Sequence, residues 1–277
     1  MSTAIIKFNG GVGALICNGC ETILAHGFDH EDKEHYCSQC DPLGVWNSKP
    51  VNKIKVSRDP QEKKMLHHFE RNQKGNDYVV GDIHGMYDLL MEGLKKVGFD
   101  KSCDRLFAVG DLIDRGPDSI KCLALCYEPW FFTVRGNHEQ MMFDYLLGYN
   151  DGGIWVSNGG SWYITEECDD LNATIHDLSE RLPYGIEVET DTGLVGIVHA
   201  DVMRPVWTDN FKGEEEATVY MLWSRSRAYG HCNYMVEGVD RLYVGHTPLK
   251  KPEVIDNVHY IDVGSCFWNN LYIEKIS

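Results

Sequence analysis

Five times in this chain a short apolar run ends in a group of acids, histidines or amides, four of them flanked by glycine. Tyr78-Val79-Val80 leads into Gly81-Asp82-Ile83-His84-Gly85, and Leu106-Phe107-Ala108-Val109 into Gly110-Asp111-Leu112-Ile113-Asp114-Arg115-Gly116. The run from Trp130 to Val134 leads into Arg135-Gly136-Asn137-His138-Glu139, and two later runs end in His199 and in Gly245-His246-Thr247-Pro248. Short apolar runs bounded by turn residues read as buried strands. Polar groups just past the carboxyl ends of such strands face one crevice in an open α/β sheet, and the glycines let the backbone turn sharply beside them. A single Asp or His in that place would read as a cap of the next helix; five in one register read as a site.

The segments between these runs fit the same architecture. MYDLLMEGLKKVGF carries Leu90, Leu94 and Val97 on one helical face, and helices from about Asp118 and near His138 follow the second and third strands, giving βαβαβα. Further strands are expected around Leu194 to Val198, Leu242 to Val244, His259 to Ile261 and Leu271 to Ile273, with residues 139 to 190 mostly helical apart from an SNGGSW turn. The expected fold class is therefore α/β, a β-sandwich flanked by helices.

Ahead of this lies a different kind of sequence. Cys17, Cys20, Cys37 and Cys40 form two CxxC pairs sixteen residues apart, the spacing of a tetrahedral structural zinc site, and HYCSQC resembles a zinc-ribbon knuckle. A segment of about 45 residues buries too little apolar surface to fold alone, so a bound Zn²⁺ would supply the missing stability. The remaining cysteines lack metal-like spacing, and core packing is expected for them, with Cys122 and Cys126 on a buried helix face. WNSKPVNKIKVSRDP reads as a solvated basic linker, closed by Asp59-Pro60-Gln61-Glu62, whose cap chemistry predicts a helix to about Arg71. The division expected is residues 1–45, a zinc-ribbon-like segment; 46–60, a linker; and 61–277, a catalytic domain.

Composition excludes several classes. With 277 residues, 42 Asp+Glu against 26 Lys+Arg and a formal charge of −16, the chain has no overall basic face for nucleic acid, which leaves the ribbon and linker as the one route to such a partner. No run approaches a membrane span, and the N-terminus lacks the pattern of an export signal, so a cytoplasmic location is expected. The acids matter by position. Asp82, His84 and Asp111 offer oxygen and imidazole nitrogen to one divalent ion, Asn137, His199 and His246 offer the same mixture to a second, and Asp111 is the natural bridge. Two such ions can hold a shared water as hydroxide and neutralise a phosphoryl group under in-line attack.

From about residue 65 to the end the chain resembles the PPP metallophosphatases of the calcineurin-like fold, in particular their phage-type members. Besides the five strand-end groups, the likeness includes RGNHEQMM, WVSNGGSW, HAD at 199–201, LWSR at 222–225, GHTPLKKP and YIDVGS. It implies a dinuclear centre, usually with Mn²⁺ although iron or zinc suits the same ligands, and hydrolysis of phosphoserine and phosphothreonine in phosphoproteins, with phosphotyrosine often accepted; if the chain is phage-encoded, the location would be the host cytoplasm. It also implies roles: His138 as general acid, Asp114 orienting its ring, and Arg115 and Arg225 gripping phosphate oxygens, with Arg227 a rival for the last. Attack is direct, without a phosphoenzyme. Two other readings stand beside this one. Bis(nucleoside) tetraphosphatases share the fold but resemble GDIQG where this chain has His84, and an adaptor led by the ribbon would carry the larger domain as an inactive scaffold. Phosphodiesterases of the fold end in a GHxH pair, whose second histidine is here Pro248.

Overall fold

The computed structural model describes residues 15–16, 23–25 and 65–277, except 168 and 233. Near the N-terminus, β1 (Leu15–Ile16) pairs antiparallel with β2 (Ile23–Ala25). The four cysteines of the expected zinc site, the linker and Asp59 to Glu62 lie outside the described residues.

The main body is built from β3 (Leu66–Phe69), β4 (Asp77–Val80), α1 (Tyr87–Val97), β5 (Arg105–Ala108), α2 (Ser119–Ala124), β6 (Phe131–Thr133) and α3 (Asn137–Leu146). There follow α4 (Gly153–Ser157), α5 (Tyr163–Glu166), α6 (Asp169–Arg181), β7 (Gly185–Thr190), β8 (Gly193–Val198), α7 (Glu215–Trp223) and β9 (Arg241–Val244). β10 (Glu253–Ile255), β11 (Val258–Tyr260), α8 (Ser265–Trp268) and β12 (Ile273–Lys275) complete it. One sheet has the order β12-β4-β5-β6 and the other β10-β11-β9-β8-β7-β3.

The two sheets face each other, as alternation along their strands requires. Val79, Phe107, Val109 and Val134 from the smaller sheet meet Ile186, Val188, Val195, Ile197 and Tyr243 from the larger. The opposite face of the smaller sheet, with Tyr78, Val80, Leu106 and Ala108, packs on Leu90, Leu94, Cys122, Leu123 and Met142 of the helices. Val198, Leu242, Val244 and Tyr260 do the same on the outer side of the larger sheet, against Met221, Trp207 and Phe211. With both faces covered, β4 is buried at every position, which is why Tyr78-Val79-Val80 reads as an apolar run after the buried Asp77.

Five local expectations are corrected. Leu66–Phe69 is a strand rather than helix: it runs parallel to β7, pairing Leu66 with Gly185 through Phe69 with Val188. Residues 139–190 include a strand at their end, because Gly185–Thr190 alternates apolar and polar side chains and pairs with β8 along its full length. The last strand begins at Ile273, two residues later than expected. Leu90 and Leu94 are buried on α1 but Val97, at 38% exposure, is not, since the helix stops there at Gly98 in the left-handed conformation. Cys122 is buried as expected, whereas Cys103, Cys126, Cys232 and Cys266 are only half-buried. Among the described residues no helix is long and apolar enough to cross a membrane.

Candidate active site

The carboxyl ends of β4, β5, β6, β8 and β9 converge, so that both sheets contribute to one polar centre. Backbone geometry marks it. Of the seven non-glycine residues with positive φ among those described, five are His84 (47°), Asp111 (49°), Asp114 (72°), Arg115 (69°) and His246 (66°). Such conformations cost of order 1–3 kcal/mol each and persist only where surrounding structure enforces them. Gly245 shows the enforcement, because a Cβ there would run into the carboxylate of Asp82.

Asp111 is divided between two tasks. Its Oδ1 accepts the His138 backbone N–H at the start of α3 (3.0 Å). Its Oδ2 lies 3.6 Å from His84 Nε2, 3.4 Å from His199 Nε2 and 3.9 Å from His138 Nε2. Glu139 holds the corner from behind, accepting the backbone N–H groups of Asp111, Leu112 and Gly136, each at 2.9 Å. Its position supports the turn and the start of α3.

The tautomers of two histidines follow from their partners. His84 Nδ1 lies 2.9 Å from the Ile113 carbonyl and His199 Nδ1 2.8 Å from that of Val109, so each Nδ1 donates and each Nε2 offers a lone pair to the centre. His199 Nε2 and Asn137 Oδ1 are 2.8 Å apart, and His246 Nδ1 is 2.8 Å from the same oxygen and 3.2 Å from the same nitrogen. At His199 Nε2 and Asn137 Oδ1 lone pair thus faces lone pair, an arrangement that a cation drawn between them would relieve. Asp111, His199 and His246 form one group of metal-capable donors within 4.8 Å of one another, and His84, Asp111 and His138 form another. Asp82 falls outside both groups, its carboxylate accepting the His246 backbone N–H at 3.0 and 3.3 Å.

Electrostatics sorts these side chains. Burial pushes the imidazole of His84 down to about 3 and that of His246 to about 2, and lowers His199 as well, which keeps all three neutral and able to coordinate. His138 moves the other way: burial works to lower it, but Asp111 and the hydrogen-bonded Asp114 outweigh that and raise it. Burial also acts against the Asp111 carboxylate, yet the surrounding imidazoles of His199, His138, His84 and His246 hold it below the usual range. Burial together with Asp262 and Asp111 raises Asp82 well above its ordinary value, and Asp262 is pushed up to about 6, chiefly by burial. Buried carboxyls crowded around neutral imidazoles suit divalent cations, whose charge would reverse these upward shifts.

The other expected residues surround the centre. His138 Nδ1 is 2.6 Å from Asp114 Oδ2, and both side chains are buried. Arg115 is exposed, donates to His84 Nε2 at 2.7 Å and packs its guanidinium 5.4 Å from the Phe267 ring. Arg225 donates to the His246 carbonyl at 3.2 Å and so stands at the site. Its rival Arg227 is fully buried elsewhere, paired with Asp201 at 3.3 Å and bonded to the Tyr234 carbonyl at 2.6 Å. Sequence reasoning gave no role to Trp155 and Trp162, whose indole N–H groups both reach Asp114; a Trp at each end of WVSNGGSW was the available signal.

Known proteins share this arrangement of sequence and fold. Serine/threonine-protein phosphatase 1 of Salmonella typhimurium is 40% identical over 202 residues, covering 72% of this chain and 91% of its own. Serine/threonine-protein phosphatase 2 of Escherichia coli is 35% identical over 208 residues, covering 72% and 92%. A solved structure described as a candidate diadenosine tetraphosphatase superposes with a TM-score of 0.57 at 21% identity, over 77% of this chain and 97% of its own, which is a likeness of fold. Residues 78–256 match the family described as calcineurin-like phosphoesterase, and with relatives this similar over most of their length the chain belongs to that family.

Proposed function

We propose that this chain is a metal-dependent phosphoprotein phosphatase that hydrolyses phosphoserine and phosphothreonine monoesters, with phosphotyrosine accepted as the resemblance to phage-type members suggests. The observation that carries it is Asp111 Oδ2, one oxygen standing between two groups of buried nitrogen and oxygen donors. The printed names of the relatives supply the substrate class.

In this reading Asp82, His84 and Asp111 hold one divalent ion and Asp111, Asn137, His199 and His246 a second, both Mn²⁺, with iron or zinc as substitutes. Bound there, the ions would supply Lewis-acid charge to the phosphoryl oxygens and an activated water. The protein does the rest. Arg115 and Arg225 grip the outer phosphate oxygens through their planar forks of donors. As the bond from phosphorus to the leaving oxygen breaks, His138 Nε2 gives that oxygen its proton, and Asp114 steadies the ring from Nδ1. The raised basicity of His138 beside neutral His84, His199 and His246 supports this division between one acid and three ligands. The segment 1–45 is read as a zinc ribbon on Cys17, Cys20, Cys37 and Cys40, and loss of about one zinc per chain from a C17S/C20S variant, by atomic absorption, is its check.

The test is phosphate release from a phosphoserine peptide by chelator-stripped protein, with and without Mn²⁺, beside diadenosine tetraphosphate and a phosphodiester. Metal-dependent release from the peptide is the expected result. Preference for the dinucleotide would move the assignment to a tetraphosphatase, and silence on all three would return the adaptor.

A further inference from the structure

We infer that residues 155–162 form a clamp that positions the Asp114–His138 pair, with Trp155 and Trp162 as positioning residues. This rests on the phosphatase reading and adds to it a part that the five strand-end groups do not contain.

The Asp114 side chain is fully buried. Trp155 Nε1 donates to its two oxygens at 2.9 and 3.2 Å, and Trp162 Nε1 donates to Oδ1 at 2.7 Å. His138 Nδ1 takes Oδ2 at 2.6 Å. The Asp114 backbone N–H, in its left-handed corner, donates to Ser119 Oγ at 2.9 Å. A carboxylate has about four lone-pair directions, so three ring N–H donors nearly fill them and leave it one orientation.

The chemical type of the donors matters as much as their number. An indole N–H fixes a carboxylate without bringing charge. An Arg or Lys in the same place would neutralise Asp114 and weaken its hold on a protonated imidazole. With two neutral donors the full negative charge remains available to His138.

The two indoles are held by aromatic packing. Trp155 is buried, with ring centroids 5.7 Å from Tyr145, 5.4 Å from Tyr163 and 6.1 Å from Trp162. Between the two tryptophans, Gly159 adopts φ 114°, and a Cβ there would come within 2.8 Å of the Arg115 backbone nitrogen. The same turn that carries the indoles therefore abuts the backbone of the phosphate-gripping arginine. Asp114, itself at positive φ, is held from one side by this single segment.

A positioning role predicts dependence on the leaving group. Trp155→Phe and Trp162→Phe each remove one N–H and keep a ring. In the Mn²⁺-loaded full chain, each is expected to lower kcat on a phosphoserine peptide and on phenyl phosphate by about 10- to 100-fold, since those leaving oxygens need a proton. On 2,4-dinitrophenyl phosphate, whose leaving group departs without one, kcat should stay within about threefold, as should KM on every substrate. Equal losses on all substrates, or wild-type rates in both folded variants, would overturn the inference. A second readout needs neither activity nor a folded Trp155 variant: in chain labelled with ¹⁵N-tryptophan, Asp114→Asn should shift two of the seven indole N–H signals upfield. Unmoved signals would also overturn it. Wild-type protein inactive on the phosphoserine peptide would instead defeat the phosphatase reading, and the labelled sample would still decide the clamp.

Discussion

At the scale of single residues, the pair Arg225 and Arg227 shows how two identical side chains two positions apart come to separate duties. Arg227 is sealed in the core against Asp201, and removing one partner of a buried ion pair leaves the other charge uncompensated. Arg227→Ala should therefore cost about 3–5 kcal/mol in urea unfolding. Arg225→Ala, which gives up one bond from a half-buried side chain to the His246 carbonyl, should cost no more than about 1.5 kcal/mol, while raising KM for phosphopeptide and weakening inhibition by inorganic phosphate. Similar effects of the two substitutions on stability would contradict this assignment. His138→Asn is expected to lower kcat on phosphoserine by about 10²–10⁴-fold with little change in KM. The gathering of Asp82, His84, Asp111, Asn137, His199 and His246 is legible because each lies within four residues of the carboxyl end of a strand. WSRSR carries no comparable cue: which arginine turns inward depends on where Asp201 and Tyr234 arrive from distant parts of the chain.

At the scale of elements, legibility followed burial on two faces. β4, β5 and β6 lie between the second sheet and the helices, so their sequences are apolar almost throughout and their ends are sharply marked. β3 lacks that signature. LHHF places two histidines in a strand whose pairing with β7 is supplied from far along the chain, and local cap chemistry upstream pointed to helix instead. β7 does alternate, with Ile186 and Val188 inward and Glu187 and Glu189 outward, but it follows α6 so closely that the helical reading ran over it. The junction between elements also carries a prediction. Glu139, on the first turn of α3, accepts three backbone N–H groups from the turns that follow β5 and β6. Glu139→Ala would leave those buried donors without an acceptor, at about 1–3 kcal/mol apiece. A loss of more than about 3 kcal/mol in urea unfolding is expected on that basis, with Mn²⁺-dependent activity falling alongside as Asp111 loosens. A loss under about 1 kcal/mol would mean that water replaces the carboxylate.

At the scale of the whole molecule, the centre lies across the gap between two sheets. Asp82 and Asp111 come from the smaller sheet, while His199, His246 and the nearby Asp262 come from the larger, so a bound ion would tie one sheet to the other. Without the ion, the same geometry concentrates buried acid: Asp82 is raised well above the ordinary range and Asp262 to about 6. The sign of the consequence follows from linkage. A carboxyl whose pKa is higher folded than unfolded binds more protons when folded, so its contribution to stability is present below the unfolded value near 3.8 and is lost as pH rises through about 6. Chelator-stripped protein should accordingly lose stability between about pH 4 and pH 7 from Asp262, with Asp82 acting in the same direction. Mn²⁺ competes with protons for the same oxygens, so the gain in Tm on adding it should be larger at pH 7.5 than at pH 5. At a hundred times Kd the gain corresponds to about 2.7 kcal/mol. Calorimetry of the stripped and loaded chain at the two pH values makes the comparison. A gain in Tm that is equal at both would mean that the ion meets no such protonated carboxyls, and that the crowding of Asp82, Asp111 and Asp262 is relieved by some other charge in the fold.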